Sequence, residues 1–580
     1  MRIMARYSVF NLSFFLFLST ILIWYKLSQE ISNTKHLLSQ HPSFKDSFAA
    51  QSNVKTSKFI SDANSESTNV ESKIKQAEID SNLASITPAL KKQLWSTLQA
   101  QLKNTVVQVI AQVAEFNWIE PYKSPTQTEG AGTAFFINSQ GELITNAHVV
   151  DQAQVVYIQI PAIGKKRFEV QVVAVSPERD LALLKLSDSD LKHIKQILGK
   201  DDLVYLKFGD SDKVDRADKI MALGYPLGQH GLKSTTGVVS GREHLSGQHF
   251  IQISAALNKG NSGGPSLNSL GEVIGVNSAI IQGAQNVGYI VPINDVKLFL
   301  DQYRALPEDK GPKLIRKPFL GVLFNNASES LTSFLGNPPP GGLYVVEVYK
   351  GSPLDKAGVK AGDMIYKLNG ITVDIYGEMH APWLVEEKIS IIDYVSRLKL
   401  GQKVEIEFYR KGVKKHATFS FDQSERPPIG RVYPGYEKID YEVIGGLVVM
   451  QLTLNHVMLL AQYAPELMQY ADLRKHHKPA LLITHILLNS PASSARSLGA
   501  GSVISQINGQ DVYTLKDFRS ALLKSTDKKF LTIKTTDNAF LVLPLQDILA
   551  SEQRLASTYF YPPSKGYNAL KQKLENQVKQ

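Results

Sequence analysis

Residues 258–266 read NKGNSGGPS and place Ser262 among Gly260, Gly263 and Gly264. A glycine-rich serine loop on its own is most often only a turn. Glycine, however, allows backbone conformations in which neighbouring N–H groups converge on one oxygen position, as the oxyanion of a serine nucleophile requires. The stretch therefore predicts a nucleophile loop, provided that a base and a carboxylate lie elsewhere in the chain.

Two earlier motifs supply these groups. TNAHVV (145–150) places His148 at the end of an apolar strand, and SPERDLALLKL (176–186) places Asp180 at the start of another. Each alone would be read as a structural or exposed residue. With Ser262 they follow the order His, Asp, Ser, which is the chain order of chymotrypsin-type peptidases and not that of subtilisin or the α/β-hydrolases. We therefore predict a Ser-His-Asp triad; the alternative is a degenerate enzyme whose loops never become competent.

The loop itself is predicted to form the oxyanion hole. Its residues are Gly260, Asn261 and Ser262, and the N–H groups of Gly260 and Ser262 are the expected donors. Short β-rich runs broken by Gly, Pro and Asn surround the three motifs from about residue 105 onward. Many short strands at close spacing favour a barrel or sandwich over alternating βαβ units.

At these residues the chain resembles the HtrA/Deg family of trypsin-like serine proteases, whose motifs are TN-x-HVV, DLA-x-LK and GNSGGP. The resemblance covers about residues 104–300 and implies a chymotrypsin-like double β-barrel in a mainly β protein. It also implies that Leu257 and Ile290 line the primary specificity pocket and favour small or medium apolar side chains, although plain core residues remain the alternative. Asn261 stands where digestive enzymes carry Asp, so activation by N-terminal insertion is not expected. The strand GAGTAF (130–135) departs from the family's G-S-G-F and puts the loop regulation in doubt.

The C-terminal half contains a first α+β unit, predicted over residues 315–425. Residues 340–370 give a strand, a helix-like SPLDKAGV, a second strand and an Asn-Gly turn. This order resembles a PDZ domain. The resemblance implies a carboxylate-binding loop, whose backbone N–H groups would hold a peptide C-terminus while an adjoining strand adds the peptide by β-augmentation. The residues of that loop are Phe319, Leu320, Gly321 and Val322. An ordinary α+β domain without a ligand is the alternative.

A second, divergent PDZ-like unit is predicted over residues 440–548, because residues 480–515 repeat the pattern more weakly. Gly445-Gly446-Leu447-Val448 would be its loop. The segment 451–478 is unusually long for this position. Peptide binding there is therefore doubtful, and docking between subunits is an equal alternative. Residues 549–580 are predicted to be a polar helical tail.

The N-terminus carries the charge-free apolar run SVFNLSFFLFLSTILIWY (8–25), long enough to cross a bilayer. We predict an uncleaved transmembrane anchor within residues 1–27; a cleaved signal peptide and a buried helix are the alternatives. Residues 28–103 are rich in Ser, Asn, Gln and Lys and predict a linker. Either an anchor or a signal places the remaining chain outside the cytoplasm.

The composition excludes several chemistries. The 580 residues include no cysteine, which rules out a disulfide scaffold, a thiolate metal site and a cysteine nucleophile. The net charge of +10 forms no evident groove, so no nucleic-acid partner is expected. Neither a P-loop nor an HExxH motif occurs, and we expect no cofactor, no metal and no ATP-driven unfolding.

These features together predict an ATP-independent serine endopeptidase of the bacterial cell envelope that degrades misfolded or unassembled proteins. Its partners would be unfolded proteins or peptides, and the resemblance implies a trimer-based homo-oligomer in which Phe116 and Trp118 could pack. The catalytic part would lie in the periplasm, anchored to the inner membrane, or be soluble there after signal cleavage. The alternatives are a chaperone or scaffold with weak proteolysis, and a regulatory protease that cuts one membrane signalling protein.

Overall fold

The structure is a computed structural model that describes residue 102 and residues 104–579. Within that range it leaves out residues 230, 246, 279–286, 308–310, 385–386, 422–425, 477 and 527. The predicted anchor (8–25) and almost all of the predicted linker lie outside the described residues. Among the described residues, no helix is both long and apolar enough to cross a membrane.

The first barrel carries the histidine and aspartate motifs. Its strands are β1 (Val106–Glu115), β2 (Thr126–Phe136), β3 (Glu142–Thr145), β4 (Ala153–Gln159), β5 (Arg167–Ser176) and β6 (Leu181–Leu186). They pair in the order β1-β2-β3-β6-β5-β4, and β4 closes the barrel by returning to β1. His148 follows β3 and Asp180 immediately precedes β6. Because β3 and β6 are neighbours, the two residues come together.

The second barrel carries the serine loop. Its strands are β7 (Lys219–Gly224), β8 (Lys233–Leu245), β9 (Gln248–Ile253), β10 (Pro265–Leu267), β11 (Val273–Ser278) and β12 (Gly288–Pro292). They form a closed barrel in the order β10-β11-β12-β9-β8-β7, with Ser262 just before β10. Helix α1 (Asp188–Leu198) lies between the barrels in sequence, and α2 (Ile293–Arg304) follows them. The expected double β-barrel is therefore present.

The next domain has a mixed α+β architecture. Strand β13 (Lys313–Leu314) first joins β5 in parallel. The remaining elements are α3 (Glu329–Phe334), α4 (Pro353–Lys356), α5 (Ile391–Ser396), β14 (Val322–Asn325), β15 (Leu343–Val348), β16 (Met364–Leu368), β17 (Ile371–Thr372), β18 (Glu378–Met379), β19 (Ile389–Ser390), β20 (Lys403–Arg410) and β21 (Val413–Ser420). The main sheet has the order β14-β15-β16-β20-β21, which leaves β14 at one edge.

The last domain repeats this plan with additions. Its strands are β22 (Tyr441–Ile444), β23 (Leu447–Gln451), β24 (Leu481–Ile486), β25 (Val503–Ile507), β26 (Gln510–Asp511), β27 (Phe530–Thr535) and β28 (Phe540–Pro544). Its helices are α6 (Leu454–Leu460), α7 (Pro491–Ala495), α8 (Leu515–Leu523), α9 (Leu545–Tyr559) and α10 (Lys565–Lys579). The predicted tail thus contains the rest of α9 and all of α10. Leu555 and Leu570 are fully buried, so both helices belong to the packed body of the domain.

The loop after β1 packs against this last domain. The ring of Trp118 lies edge-on to His456, with centroids 5.1 Å apart, and Phe116 contacts Trp118 in the same way. The carbonyl of Ile119 accepts a hydrogen bond from Thr484 Oγ1 at 2.8 Å. The aromatic residues considered for subunit packing therefore make contacts within the chain.

Candidate active site

His148 and Asp180 form a tightly oriented pair. His148 Nδ1 lies 2.8 Å from Asp180 Oδ1 and 2.9 Å from Oδ2, and the backbone N–H of His148 donates to Oδ1 at 3.1 Å. Ser278 Oγ donates to Oδ2 at 3.0 Å, and Asn146 Nδ2 donates to the carbonyl of Asp180 at 2.8 Å. The buried carboxylate is thus fixed on every side, and it holds Nδ1 of the imidazole as the protonated nitrogen.

Asp180 has a φ of +53°, in the left-handed region that only a few non-glycine residues adopt. The turn lies between β5 and β6. Such outliers concentrate at functional sites, where the surrounding contacts hold the strained backbone in place. Here those contacts are the hydrogen bonds from His148, Asn146 and Ser278.

The surroundings of His148 change its basicity. Burial lowers the pKa of the imidazole, but the hydrogen bond and negative charge of Asp180, together with the charge of Asp151, more than offset this effect. The pKa of His148 is therefore raised above its usual 6.5. A raised pKa makes the neutral imidazole a stronger proton acceptor, as a general base requires.

The serine loop is shaped by close backbone approaches. Gly260 has a φ of +99°, and a Cβ there would lie 2.4 Å from the carbonyl oxygen of Tyr225. The carbonyl of Lys259 accepts a hydrogen bond from Leu227 N at 2.7 Å. Because the C=O and N–H of a trans peptide point in opposite directions, the N–H of Gly260 is directed away from that contact. The N–H of Asn261 donates to Asn258 O within the loop, at 2.9 Å. Of the three residues predicted to form the oxyanion hole, Asn261 therefore uses its backbone N–H to stabilise the turn of the loop.

Thr133 fastens this loop to the rest of the fold. Its Oγ1 donates to Gly260 O at 2.7 Å and accepts from Tyr225 N at 3.0 Å, while its backbone N–H donates to Ser262 O at 2.9 Å. In sequence, Thr133 was only a departure from the family pattern. A hydroxyl within the otherwise apolar, glycine-rich stretch 130–136 of β2 was the available signal for its role.

Leu257 and Ile290 lie in one apolar cluster of the second barrel. Ile290 has no exposed surface, whereas Leu257 is partly buried at its edge. A Cβ at Gly288 would lie only 3.0 Å from Cγ of Leu257, so Leu257 packs closely against the backbone of that glycine. Of the two residues predicted to line the specificity pocket, only Leu257 has exposed surface.

A cavity of about 930 Å³ opens beside His148 and Asp180. Its other wall includes the segment between the two C-terminal domains, residues 426–433. Gly247 and Gln248, at the turn between β8 and β9, also line it. His148 and Asp180 therefore line a cleft that is built partly from the C-terminal half of the chain.

The predicted carboxylate loop of the first α+β domain precedes an open sheet edge. Gly321 has a φ of +74°, and its carbonyl accepts from Tyr349 N at 2.8 Å and Ser352 Oγ at 3.2 Å. Leu320 is buried in the core, Val322 begins β14, and the ring of Phe319 stacks on Tyr349 at 5.8 Å. In the described part of the chain, β14 pairs with β15 alone.

The corresponding loop of the last domain is covered by the chain itself. Strand β23 pairs with β24 on one side and with β22 on the other. The backbone N–H of Gly445 donates to the buried carboxylate of Glu552 at 3.1 Å, and Tyr561 OH donates to the same carboxylate at 2.8 Å. Burial and the charge of Glu442 raise the pKa of Glu552 to about 7, despite these hydrogen bonds. A carboxylate of helix α9 thus occupies the donor that a peptide terminus would need.

Comparison with known protein families agrees with this architecture. A trypsin-like peptidase domain model matches residues 132–276, and two PDZ domain models match residues 318–420 and 433–564. The second PDZ match includes the whole of α9, consistent with the packing of that helix.

The chain is similar to several periplasmic serine endoproteases. It is 32% identical over 332 residues to the periplasmic pH-dependent serine endoprotease DegQ of Escherichia coli, covering 55% of this chain and 67% of that protein. It is 29% identical over 401 residues to a probable periplasmic serine endoprotease DegP-like of Marinomonas sp., covering 68% of this chain and 74% of that protein. A solved structure, the HtrA-type protease AlgW with a decapeptide, aligns at 24% identity with a TM-score of 0.44. That alignment covers 58% of this chain and 99% of AlgW.

Proposed function

Because the chain belongs to the HtrA/Deg family and is a chymotrypsin-type serine endopeptidase, we propose that Ser262, His148 and Asp180 are its catalytic triad. The observation that carries this proposal is the bidentate contact of Asp180 with His148 Nδ1, which leaves Nε2 as the proton acceptor. The buried Ser262 belongs to a loop whose glycines are required by its backbone geometry.

In the proposed reaction, Ser262 Oγ bonds to the substrate carbonyl carbon as its proton passes to His148 Nε2. The N–H groups of Gly260 and Ser262 stabilise the negative oxygen of the tetrahedral intermediate. The imidazolium, stabilised by Asp180, then protonates the leaving amine, which leaves an acyl-enzyme. A water molecule, deprotonated by the same imidazole, releases the acyl group and regenerates the hydroxyl.

The substrates in this proposal are misfolded or unassembled proteins, cleaved without ATP. The sequence contains no P-loop, so cleavage would depend on chains that are already unfolded. The open edge of β14 supports capture of extended segments or C-termini by the first PDZ domain through β-augmentation. The covered edge of β23 supports a structural role for the second PDZ domain.

The proposed location is the bacterial periplasm, because the similar proteins above are named as periplasmic endoproteases. We further propose a trimer-based homo-oligomer and an inner-membrane anchor at residues 8–25. An intact N-terminus, found by mass spectrometry of protein from the membrane fraction, would support the anchor. Soluble protein that starts after this segment would contradict it.

The test of the enzymatic proposal compares wild type with Ser262→Ala on unfolded casein, together with labelling by a fluorophosphonate probe. Wild type should cleave casein and become labelled at Ser262, and the variant should do neither. Ser269→Ala is the matched control, because Ser269 is an exposed serine in the turn between β10 and β11, close in sequence to Ser262 but outside its loop. The control should behave as wild type. Absence of cleavage and of labelling in the wild type, at elevated temperature and with added C-terminal peptides, would refute the proposal.

A further inference from the structure

Two histidines and an aspartate meet where the first PDZ domain contacts the catalytic domain. His244 on β8 and His249 on β9 are direct cross-strand partners, and their ring centroids lie 5.1 Å apart. Asp393 belongs to α5 of the PDZ domain and is only 4% exposed. The cluster is separate from the catalytic triad, and sequence analysis did not single it out. Only the pairing of strands places His244 and His249 opposite each other.

The three side chains present their ligand atoms to a common point. Asp393 Oδ2 lies 2.8 Å from His244 Nδ1 and 3.1 Å from His249 Nε2, and all three atoms lie within 4.8 Å of one another. Ligands about 2.0–2.1 Å from a tetrahedral zinc ion lie roughly 3.4 Å apart. The two distances to Asp393 Oδ2 are within about 0.6 Å of this spacing, and a bound ion would bring the two imidazole nitrogens, which lie within 4.8 Å of each other, to a similar separation.

The contacts of the cluster converge on one carboxylate oxygen, Asp393 Oδ2. Nε2 of His249 is buried and lies 3.1 Å from Asp393 Oδ2, in a geometry that does not form a well-directed hydrogen bond. A metal ion at this position would bind the nitrogen and the carboxylate oxygen directly, in place of this poorly aligned contact. Ser390 Oγ donates to Asp393 Oδ2 at 2.5 Å, which orients the carboxylate as outer-shell groups do around bound metals.

We propose that His244 Nδ1, His249 Nε2 and Asp393 Oδ2 bind a divalent transition-metal ion, and that this ion is principally Zn²⁺. Two imidazoles and a carboxylate form a borderline donor set that suits Zn²⁺, and water would complete the tetrahedron. The side chain of His244 is 38% exposed, which provides a route for the ion and for this water.

The position of the site would let a bound ion link the first PDZ domain to the cleft beside His148, which goes beyond the proposed proteolysis. The turn between the two histidines contains Gly247 and Gln248, which line the cavity beside the catalytic histidine. Gln248 Nε2 donates to the carbonyl of Arg179, the residue before Asp180, at 2.7 Å. A bound ion would therefore fasten a helix of the first PDZ domain to one wall of the active-site cleft.

The test is a calorimetric titration of ZnCl₂ into full-length, untagged, chelator-treated protein that carries Ser262→Ala to prevent self-cleavage. We expect one strong site per chain. The double substitution His244→Gln and His249→Gln should weaken that site by roughly 100-fold or more. His416→Gln is the matched control, because this exposed histidine of the same PDZ domain lies outside the cluster. The control should retain the strong site.

A second measurement does not depend on how well the variants fold. Co²⁺ added to the parent protein should produce the visible absorption of a tetrahedral site, and one equivalent of Zn²⁺ should abolish it. The proposal is overturned if the parent protein binds no stoichiometric Zn²⁺, or if the double variant binds it as tightly as the control.

Discussion

The carboxylate of Asp180 has several functions in the structure. It accepts hydrogen bonds from the imidazole, from a backbone N–H and from the hydroxyl of Ser278. These contacts orient the imidazole and raise the pKa of His148 against the effect of burial. Only the neutral imidazole can accept the serine proton. Activity should therefore be lost as the pH falls through this raised pKa.

Replacement of Asp180 by Asn should test whether the carboxylate orients the imidazole and raises the pKa of His148. We expect kcat to fall by about 10⁴, because an amide does not hold the required tautomer. The acidic limb of kcat/KM, centred above pH 6.5 in the wild type, should move to lower pH, because the charge that raised the pKa of His148 is gone. Stopped assays with a fluorogenic peptide from pH 5 to 9 would measure both effects.

Asp151→Asn is the control for charge alone. Asp151 raises the pKa of His148 only through its charge and makes no hydrogen bond to the ring. We expect a small shift of the acidic limb and a kcat within a few-fold of wild type. An acidic limb that is unchanged in Asp180→Asn would contradict the assignment.

Individual residues also show what the sequence could and could not predict. The order and motifs of His148, Asp180 and Ser262 were sufficient to propose a triad, because the chemistry requires those side chains. The role of Thr133 was not predictable. Its hydroxyl acts on Gly260, which is remote in sequence and belongs to the loop of the second barrel, so the two residues meet only where the barrels pack together.

At the scale of elements, the two related PDZ loops precede strands whose outer edges differ, because one edge is open and the other is covered. Gly321 precedes β14, whose outer edge is open, whereas Gly446 precedes β23, whose outer edge is covered by β22. The sequence predicted both loops, because each retains its glycine and a downstream serine. It left the function of the second loop open because of the long segment 451–478, and nothing in it indicated the covering strand or the buried carboxylate of Glu552.

Matched alanine substitutions test which loop binds peptides. A Cβ at Gly321 would lie 2.0 Å from Cβ of Ser352, and one at Gly446 would lie 2.1 Å from Cβ of Ser490, so both changes distort their loops similarly. We expect Gly321→Ala to weaken binding of fluorescent peptides with free C-termini at least about tenfold. Gly446→Ala should leave the affinity unchanged. Fluorescence anisotropy on the Ser262→Ala background measures this, with circular dichroism to verify folding.

The opposite ranking would overturn the assignment of peptide binding to the first PDZ domain. Equal losses in both variants would also contradict it, because the covered edge of β23 would then have to open for ligands.

In the molecule as a whole, the domains are joined by ion pairs of unequal burial. Arg316 Nη1 lies 3.1 Å from Glu178 of the catalytic domain, and Nη2 lies 2.8 Å from Glu437 in the segment before the second PDZ domain. The guanidinium also lies 5.0 Å from the ring centroid of Tyr433. By contrast, Lys399 and Asp301 join the first PDZ domain to α2 through a pair that is mostly exposed.

These two contacts predict different contributions to the free energy of unfolding. Arg316→Ala leaves two partly buried carboxylates without their cation and should cost about 2–3 kcal/mol, because an unpaired buried charge is expensive. Lys399→Ala removes only an exposed pair and should cost no more than about 1 kcal/mol. Urea unfolding of both variants on the Ser262→Ala background, followed by tryptophan fluorescence, measures the difference. Equal costs would mean that Arg316 does not hold the three domains together, and the cleft beside His148 would then depend on other contacts for its second wall.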